Sequence, residues 1–162
     1  MEYSCSRQLT DGAWYCGEAS NLHWIDNFHT EHNLDSLKCY MDNTGDDTYS
    51  QNLRRGFDYF KNIFFEPSGR PKYYHNRVYP VDSQFASQAI ETLSNFSEYN
   101  ESALPLAIKV SDWTIDNMQD EGGYFYYRQY PWGIKATTPM LHWAQATMYR
   151  ALTNLLSYLE KQ

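Results

Sequence analysis

The chain has 162 residues, a length that suits one domain with a real core. Its 13 Lys and Arg against 20 Asp and Glu give a net charge of −7 with no basic cluster to meet phosphates, which excludes a non-specific nucleic-acid binder. Aromatics make up 17% of a chain whose mean hydropathy is −0.71, which excludes disorder and leaves open whether the rings are core or a surface for polar ligands.

In chain order, Glu2 to Arg7 reads as the tail of a helix that leads into a first loop. Five longer segments then read as helices. The first follows Trp24-Ile25-Asp26 and runs to about Met41, with Phe28, Leu34, Leu37 and Met41 apolar. The second starts in the Asp46-Asp47-Thr48 cluster, a good set of N-caps. Its Tyr49, Leu53, Gly56, Phe57, Phe60, Ile63 and Phe64 fall within about 120° of the helical wheel, the stripe of a helix facing a core. Asp82-Ser83 opens the third, where Phe85, Ala86, Ala89, Ile90, Leu93 and Phe96 form a similar stripe. The fourth, about Ser102 to Met118, tolerates Pro105 in its first turn. It sorts its apolar residues into Leu104/Ile108/Ile115 and Leu106/Val110/Trp113, which predicts burial on more than one face. The fifth opens with Thr137-Thr138-Pro139, an N-cap followed by proline, and aligns Met140, Ala144, Met148, Ala151, Leu155 and Leu159. No strand stands apart from the aromatic loops, so the expected class is all-α, a single domain over 1–162.

Short turns join the first helix to the second and the third to the fourth, as between antiparallel neighbours. The connections 65–81 and 119–138 are long and rich in Gly, Pro and Tyr, as functional or self-pinned loops are. The loops repeat. Gln8-Leu9-Thr10-Asp11-Gly12, Glu66-Pro67-Ser68-Gly69 and Gln119-Asp120-Glu121-Gly122-Gly123 each lead into aromatics. Gly12, Gly69 and Gly123 are 57 and 54 residues apart. Superimposing Asp26 on Asp82 also superimposes Leu34 on Ile90 and Leu37 on Leu93. The unit is a helical hairpin with a glycine turn, and such units bury their faces by stacking on neighbours. The chain starts inside a hairpin and holds two hairpins and a further helix. Its expected partners are therefore N-terminal hairpins of the same protein, or a homo-oligomer, covering exposed faces.

No apolar run reaches about 18 residues, so no transmembrane helix is expected. The N-terminus has neither a basic nor an apolar leader region, and Cys5, Cys16 and Cys39 form neither a zinc pattern nor a disulfide framework. A cytoplasmic setting with reduced thiols is the expectation.

Four stretches resemble a family of bacterial α/α toroid proteins found with surface-polysaccharide genes: Asp11-Gly12-Ala13-Trp14-Tyr15, Trp24-Ile25-Asp26-Asn27-Phe28-His29-Thr30, Gly69-Arg70-Pro71-Lys72-Tyr73-Tyr74 and Gly123-Tyr124-Phe125-Tyr126-Tyr127-Arg128. The toroid superfold includes six-hairpin glycosidases, sugar 2-epimerases, uronic-acid lyases and terpene cyclases. The resemblance, over about residues 3 to 156, implies the C-terminal part of a toroid and a sugar or polysaccharide context. Some members are labelled delta-aminolevulinic acid dehydratase, but this chain has neither the βα alternation nor the lysine pair of that enzyme. It departs from the pattern at Glu31-His32, where the family places a small-aromatic or Gly-Phe pair.

Asp26 and Asp82 begin equivalent helices, which in a toroid surround one mouth of the funnel. Two carboxylates facing one cavity suit glycosidic acid–base chemistry, and each also suits a helix cap. His29 follows Asp26 by three residues on the same face and can be oriented by it as an acid–base group. Asp26, His29 and His32 drift around the helix without a further ligand, so no metal and no cofactor is expected. Trp14, Tyr15, Arg70, Tyr73, Tyr126, Arg128 and His142 are the candidate substrate contacts, aromatic faces for a sugar and guanidinium forks for an anion. Tyr74 and Phe125 read as packing residues. No phosphate loop, nucleophile elbow or Cys/His dyad motif is present. The competing classes are a non-catalytic interaction module in polysaccharide biosynthesis and a toroid handling an isoprenoid or lipid-linked substrate.

Overall fold

The computed structural model describes residues 1–161. Its helices are α1 (Glu2–Ser6), α2 (Asn27–Thr44), α3 (Ser50–Ile63), α4 (Ser83–Asn95), α5 (Ala103–Met118) and α6 (Thr147–Leu159). Helix α4 is the centre, packed against α2, α5 and α6, while α3 packs on α2. Its sequence explains that place. Small Ser83, Ala86, Ser87, Ala89 and Ser94 let neighbouring helices approach, and Phe85, Ile90 and Leu93 fill the gaps, all of them buried. The pairs Leu34/Ile90 and Leu37/Leu93, predicted as equivalent, all lie in the core. Phe57 of α3 stacks on Phe96 at the end of α4, with ring centroids 4.5 Å apart and planes 4° off parallel.

The glycine turns are one structure used three times. Gly12, Gly69 and Gly123 have φ of 100°, 90° and 87°, a region that L side chains rarely adopt. Each donates its N–H to the residue three back, and in each turn a second bond closes the loop: Leu9 to Ala13, Glu66 to Arg70, Asp120 to Tyr124. A Cβ on Gly12 would overlap the Arg55 carbonyl of α3, and one on Gly69 the Lys109 carbonyl of α5. At Gly12 and Gly69 the turn is thus glycine both for its φ and because a following helix rests on it, whereas at Gly123 only the φ requires it.

Several expectations are corrected. Asp46 does not cap the second helix; it accepts from Thr48 N–H and from the Tyr40 hydroxyl, and α3 begins after Tyr49 without a side-chain cap. Helix α5 buries one stripe, Leu104, Ala107, Val110, Ser111, Thr114 and Met118, while Ile115 is exposed. Thr137 and Thr138 do not cap the last helix. A π-helical segment, Leu141–Ala146, leads into α6, and its Gln145 pins the third loop through both backbone groups of Phe125. Strands do exist: β1 (Val81–Asp82), β2 (Arg128–Gln129) and β3 (Lys135–Ala136) form a small antiparallel sheet in that order. At two residues each they are too short to show a period. Among the described residues, no helix is long and apolar enough to cross a membrane.

Candidate functional site

Asp26 and Asp82 occupy the same place in successive repeats. Both have extended backbone and cap their helices, Asp26 accepting from His29 N–H and Asp82 from Gln84 N–H. The following residue docks on the next glycine loop: Asn27 N–H donates to the Tyr73 carbonyl at 3.0 Å, and Ser83 N–H to the Tyr127 carbonyl at 3.1 Å. This docking brings two helix starts and two loops to one cavity of about 290 Å³. Asp26, His29, Tyr73, Asp82, Arg128 and Trp143 are among the residues lining it.

The two carboxylates are differently engaged. Asp26, 3% exposed, accepts from Trp24 Nε1 at 2.9 Å and meets His29 Nδ1 at 2.9 Å. The carboxylate holds the imidazole above its ordinary pKa range. Asp82, 2% exposed, accepts from Arg128 Nε at 2.8 Å. Burial pushes its carboxyl up and the guanidinium pulls it back. Arg128 also lies against the rings of Tyr73 and Tyr127, 5.6 and 4.8 Å from their centroids. Burial beside Tyr74 pushes the Tyr73 phenol to about 12, so it is a neutral donor.

The other predicted contacts lie elsewhere. Trp14, 3% exposed, is in the core, its indole N–H on the Ser4 carbonyl and its ring over Gly56 of α3, where no side chain stands in the way. Tyr15 is exposed and stacks on His23 at 4.3 Å; with Trp14 it lines a separate cavity of about 600 Å³. Arg70 pairs with Glu66 and donates to the Tyr79 hydroxyl. The Tyr126 hydroxyl donates to Asp120, and His142 is exposed beside Trp143. None of these three lines the 290 Å³ cavity; Trp143, the neighbour of His142, does.

Sequence reasoning missed two kinds of residue. Trp24 and Tyr127 line the cavity, and the repeat signalled Tyr127, since it follows Gly123 as Tyr73 follows Gly69. Cys16 gave no signal, yet its Sγ lies 3.7 Å from His29 Nε2, a Cys/His contact that no local motif announces. Donor atoms of Cys16, Asp26 and His29 all lie within 4.8 Å of one another. The imidazole presents Nδ1 to Asp26 and Nε2 to Cys16, so the three are strung along the ring rather than converging on one point. That is the order of a proton relay.

No family model matches the chain, and no curated protein matches it by sequence. Its backbone is similar to that of cellobiose 2-epimerase from Bacillus thermoamylovorans, with a TM-score of 0.80 at 11% identity over 99% of this chain and 48% of that one. The cellobiose 2-epimerase from Spirochaeta thermophila gives 0.79 at 13% identity, covering 98% and 46%. A family 105 glycoside hydrolase from C. acetobutylicum gives 0.69 at 14% identity, covering 97% and 46%. The fold is that of α/α toroid enzymes, and the chain spans about half the length of these structures.

Proposed function

We propose that the chain forms part of a sugar-processing α/α toroid, with the cavity at the starts of α2 and α4 as its sugar site. His29 is the acid–base group, Asp26 its orienting partner, and Tyr73, Trp24 and Trp143 the faces against which a pyranose ring stacks. The observation that carries this reading is the His29–Asp26 dyad, in hydrogen-bond contact at 2.9 Å at an aromatic-walled cavity. The structural neighbours support the sugar context, since epimerases and glycoside hydrolases share the fold.

The chemistry follows from which groups are free. Hydrolysis by two carboxylates needs one acid and one base or nucleophile across the scissile bond. Asp82 is bound to Arg128, and Asp26 is filled by Trp24 and His29. The titratable nitrogen at the cavity that no carboxylate engages is His29 Nε2, on a side chain that is 50% exposed and with Cys16 Sγ 3.7 Å away. A single imidazole base oriented by a carboxylate suits removal and return of a proton next to a carbonyl, as in epimerisation. A non-catalytic sugar-binding module is the second reading, favoured by the Asp82–Arg128 pairing, which makes that half of the cavity a fixed structural wall.

The test uses this chain with reducing disaccharides and uronic-acid oligosaccharides in D2O. Proton exchange at the sugar carbon is followed by NMR, and binding by fluorescence of Trp24 and Trp143. Exchange that His29→Gln abolishes, and that Tyr126→Phe outside the cavity leaves intact, is the expected result. Binding without exchange would select the module reading. Absence of both binding and exchange would refute the sugar site.

A further inference from the structure

Cys16 sits between two cavities. Its side chain lines the 600 Å³ cavity with Arg7, Gln8, Tyr15 and His23, while its Sγ reaches 3.7 Å from His29 Nε2 at the edge of the other. On the far side of the ring, Nδ1 meets the Asp26 carboxylate at 2.9 Å, and Trp24 Nε1 fixes that carboxylate in turn. Nucleophile, imidazole and buried carboxylate thus stand in the order of a nucleophilic triad, at contact distances loose enough to tighten on reaction. Cys5 and Cys39 have no such setting: Cys5 is half-buried, and Cys39 is exposed with only the Asn43 amide at its sulfur.

We infer that Cys16 is a base-activated thiol that exchanges with small disulfides entering from the 600 Å³ cavity. In that step His29 Nε2 takes the proton from the Cys16 thiol as sulfur attacks one sulfur of R–S–S–R. The Cys16–S bond to R–S forms, the original S–S bond breaks, and its electron pair leaves on R–S⁻. The imidazolium returns the proton to that thiolate, so the products are a mixed disulfide on Cys16 and one free thiol. Burial and the nearby Asp26 carboxylate push the thiol up, so proton transfer to His29, rather than a standing thiolate, supplies the nucleophile. The titratable and charged groups around His29 are Asp26 on Nδ1, His32 one turn along α2, which burial biases toward its neutral form, and Asp82 with Arg128 across the cavity. A group attached to Cys16 stands against His29 Nε2, so the modification also closes the atom to which the proposed sugar chemistry is assigned. The thiol reactivity itself requires no sugar.

The test is site-resolved labelling of the native chain with oxidised glutathione and, separately, iodoacetamide, read by peptide mass spectrometry. Cys16 is expected to outpace Cys39 at neutral pH although it is the less exposed thiol. His29→Gln is expected to slow Cys16 by at least about tenfold. Asp26→Asn, which keeps a capping oxygen, slows it in the same direction. Cys39 is expected to react at an unchanged rate, and protection of Cys5 reports that each variant is folded. Equal rates at Cys16 and Cys39, or a Cys16 rate unmoved by both substitutions in folded protein, would overturn the inference. Failure to bind or exchange sugar would not affect these rates, so the two proposals fail separately.

Discussion

Arg128 and Asp82 join the third glycine loop to the start of the central helix: Nε of the guanidinium donates to a carboxylate oxygen at 2.8 Å, and Nη2, which donates to the Tyr127 hydroxyl, lies 2.7 Å from the same oxygen. The pair coincides with the sheet register, in which Asp82 stands opposite Arg128. Side chain and backbone therefore hold one junction, and Asp82 spends its other oxygen on capping α4.

Removing Arg128 leaves that carboxylate buried without its cation. Truncating one partner of a buried pair costs about 3–5 kcal/mol, and the 24% exposure of the Arg128 side chain puts Arg128→Ala below that range, at about 2–3 kcal/mol. Asp82→Asn keeps the cap and loses only the charge, so its loss is smaller. Urea denaturation followed by circular dichroism distinguishes the two. Equal losses would mean that the cap, not the pair, carries the junction.

Helix α2 buries acid, and this gives stability a pH dependence. Glu31 is fully buried and raised well above its ordinary range, first by burial and then by Asp35. Its carboxyl oxygens accept from the Asn27 side-chain amide of the preceding turn. Burial raises Asp35 from 3.8 to about 6, against the hydrogen bonds from Thr92 and Gln88. A raised carboxyl pKa in the folded state means stability that is full below the unfolded pKa and lost as pH rises through the folded one. The Asp35 contribution is lost between about pH 4 and 6 and amounts to roughly 2 kcal/mol after allowance for its residual solvent contact; the Glu31 loss continues higher. Asp46, lowered to about 2, opposes this only where it protonates, on the acid side of its ordinary 3.8. Thermal melts from pH 5 to pH 8 should therefore show a falling midpoint, and Glu31→Gln should raise the pH 8 midpoint with little change at pH 5. A midpoint that climbs toward pH 8 in the wild-type chain would contradict this.

The helices facing the core were legible because Leu and Phe recur at helical spacing. Helix α2 was the weakest of these, for it buries Asn27, Thr30 and Glu31 beside only Leu34 and Leu37. The glycine turns were legible as a repeat because their positive φ disfavours a side chain at all three, and at Gly12 and Gly69 a helix also rests on the turn. Trp14 belongs to the same repeat but is core, since Gly56, on a different helix, makes its space. The strands left no trace in two residues each. Cys16 and His29 are 13 residues apart with a 3-10 turn, Ser20–Leu22, between them, and only tertiary folding brings sulfur to nitrogen.

The glycine turns differ in what covers them, and substitution should read that difference. Gly69 and Gly123 have nearly the same φ, 90° and 87°, so alanine at either costs about 1 kcal/mol in backbone conformation. Gly69 is buried with the Lys109 carbonyl where a Cβ would stand, so α5 must move to admit a methyl group. Gly123 is exposed, with nothing within 4 Å of that position. Gly69→Ala should therefore destabilise by roughly 2–4 kcal/mol, since overpacking adds about 1–3 kcal/mol to the conformational cost, while Gly123→Ala should lose only the smaller amount. Gly12→Ala should behave as Gly69→Ala, because the Arg55 carbonyl takes the equivalent place. Denaturation midpoints of the three variants decide the matter. If all three lose the same stability, the turns are glycine for φ alone; if Gly123→Ala is the mild one, the packing of the next helix on the turn is the greater constraint.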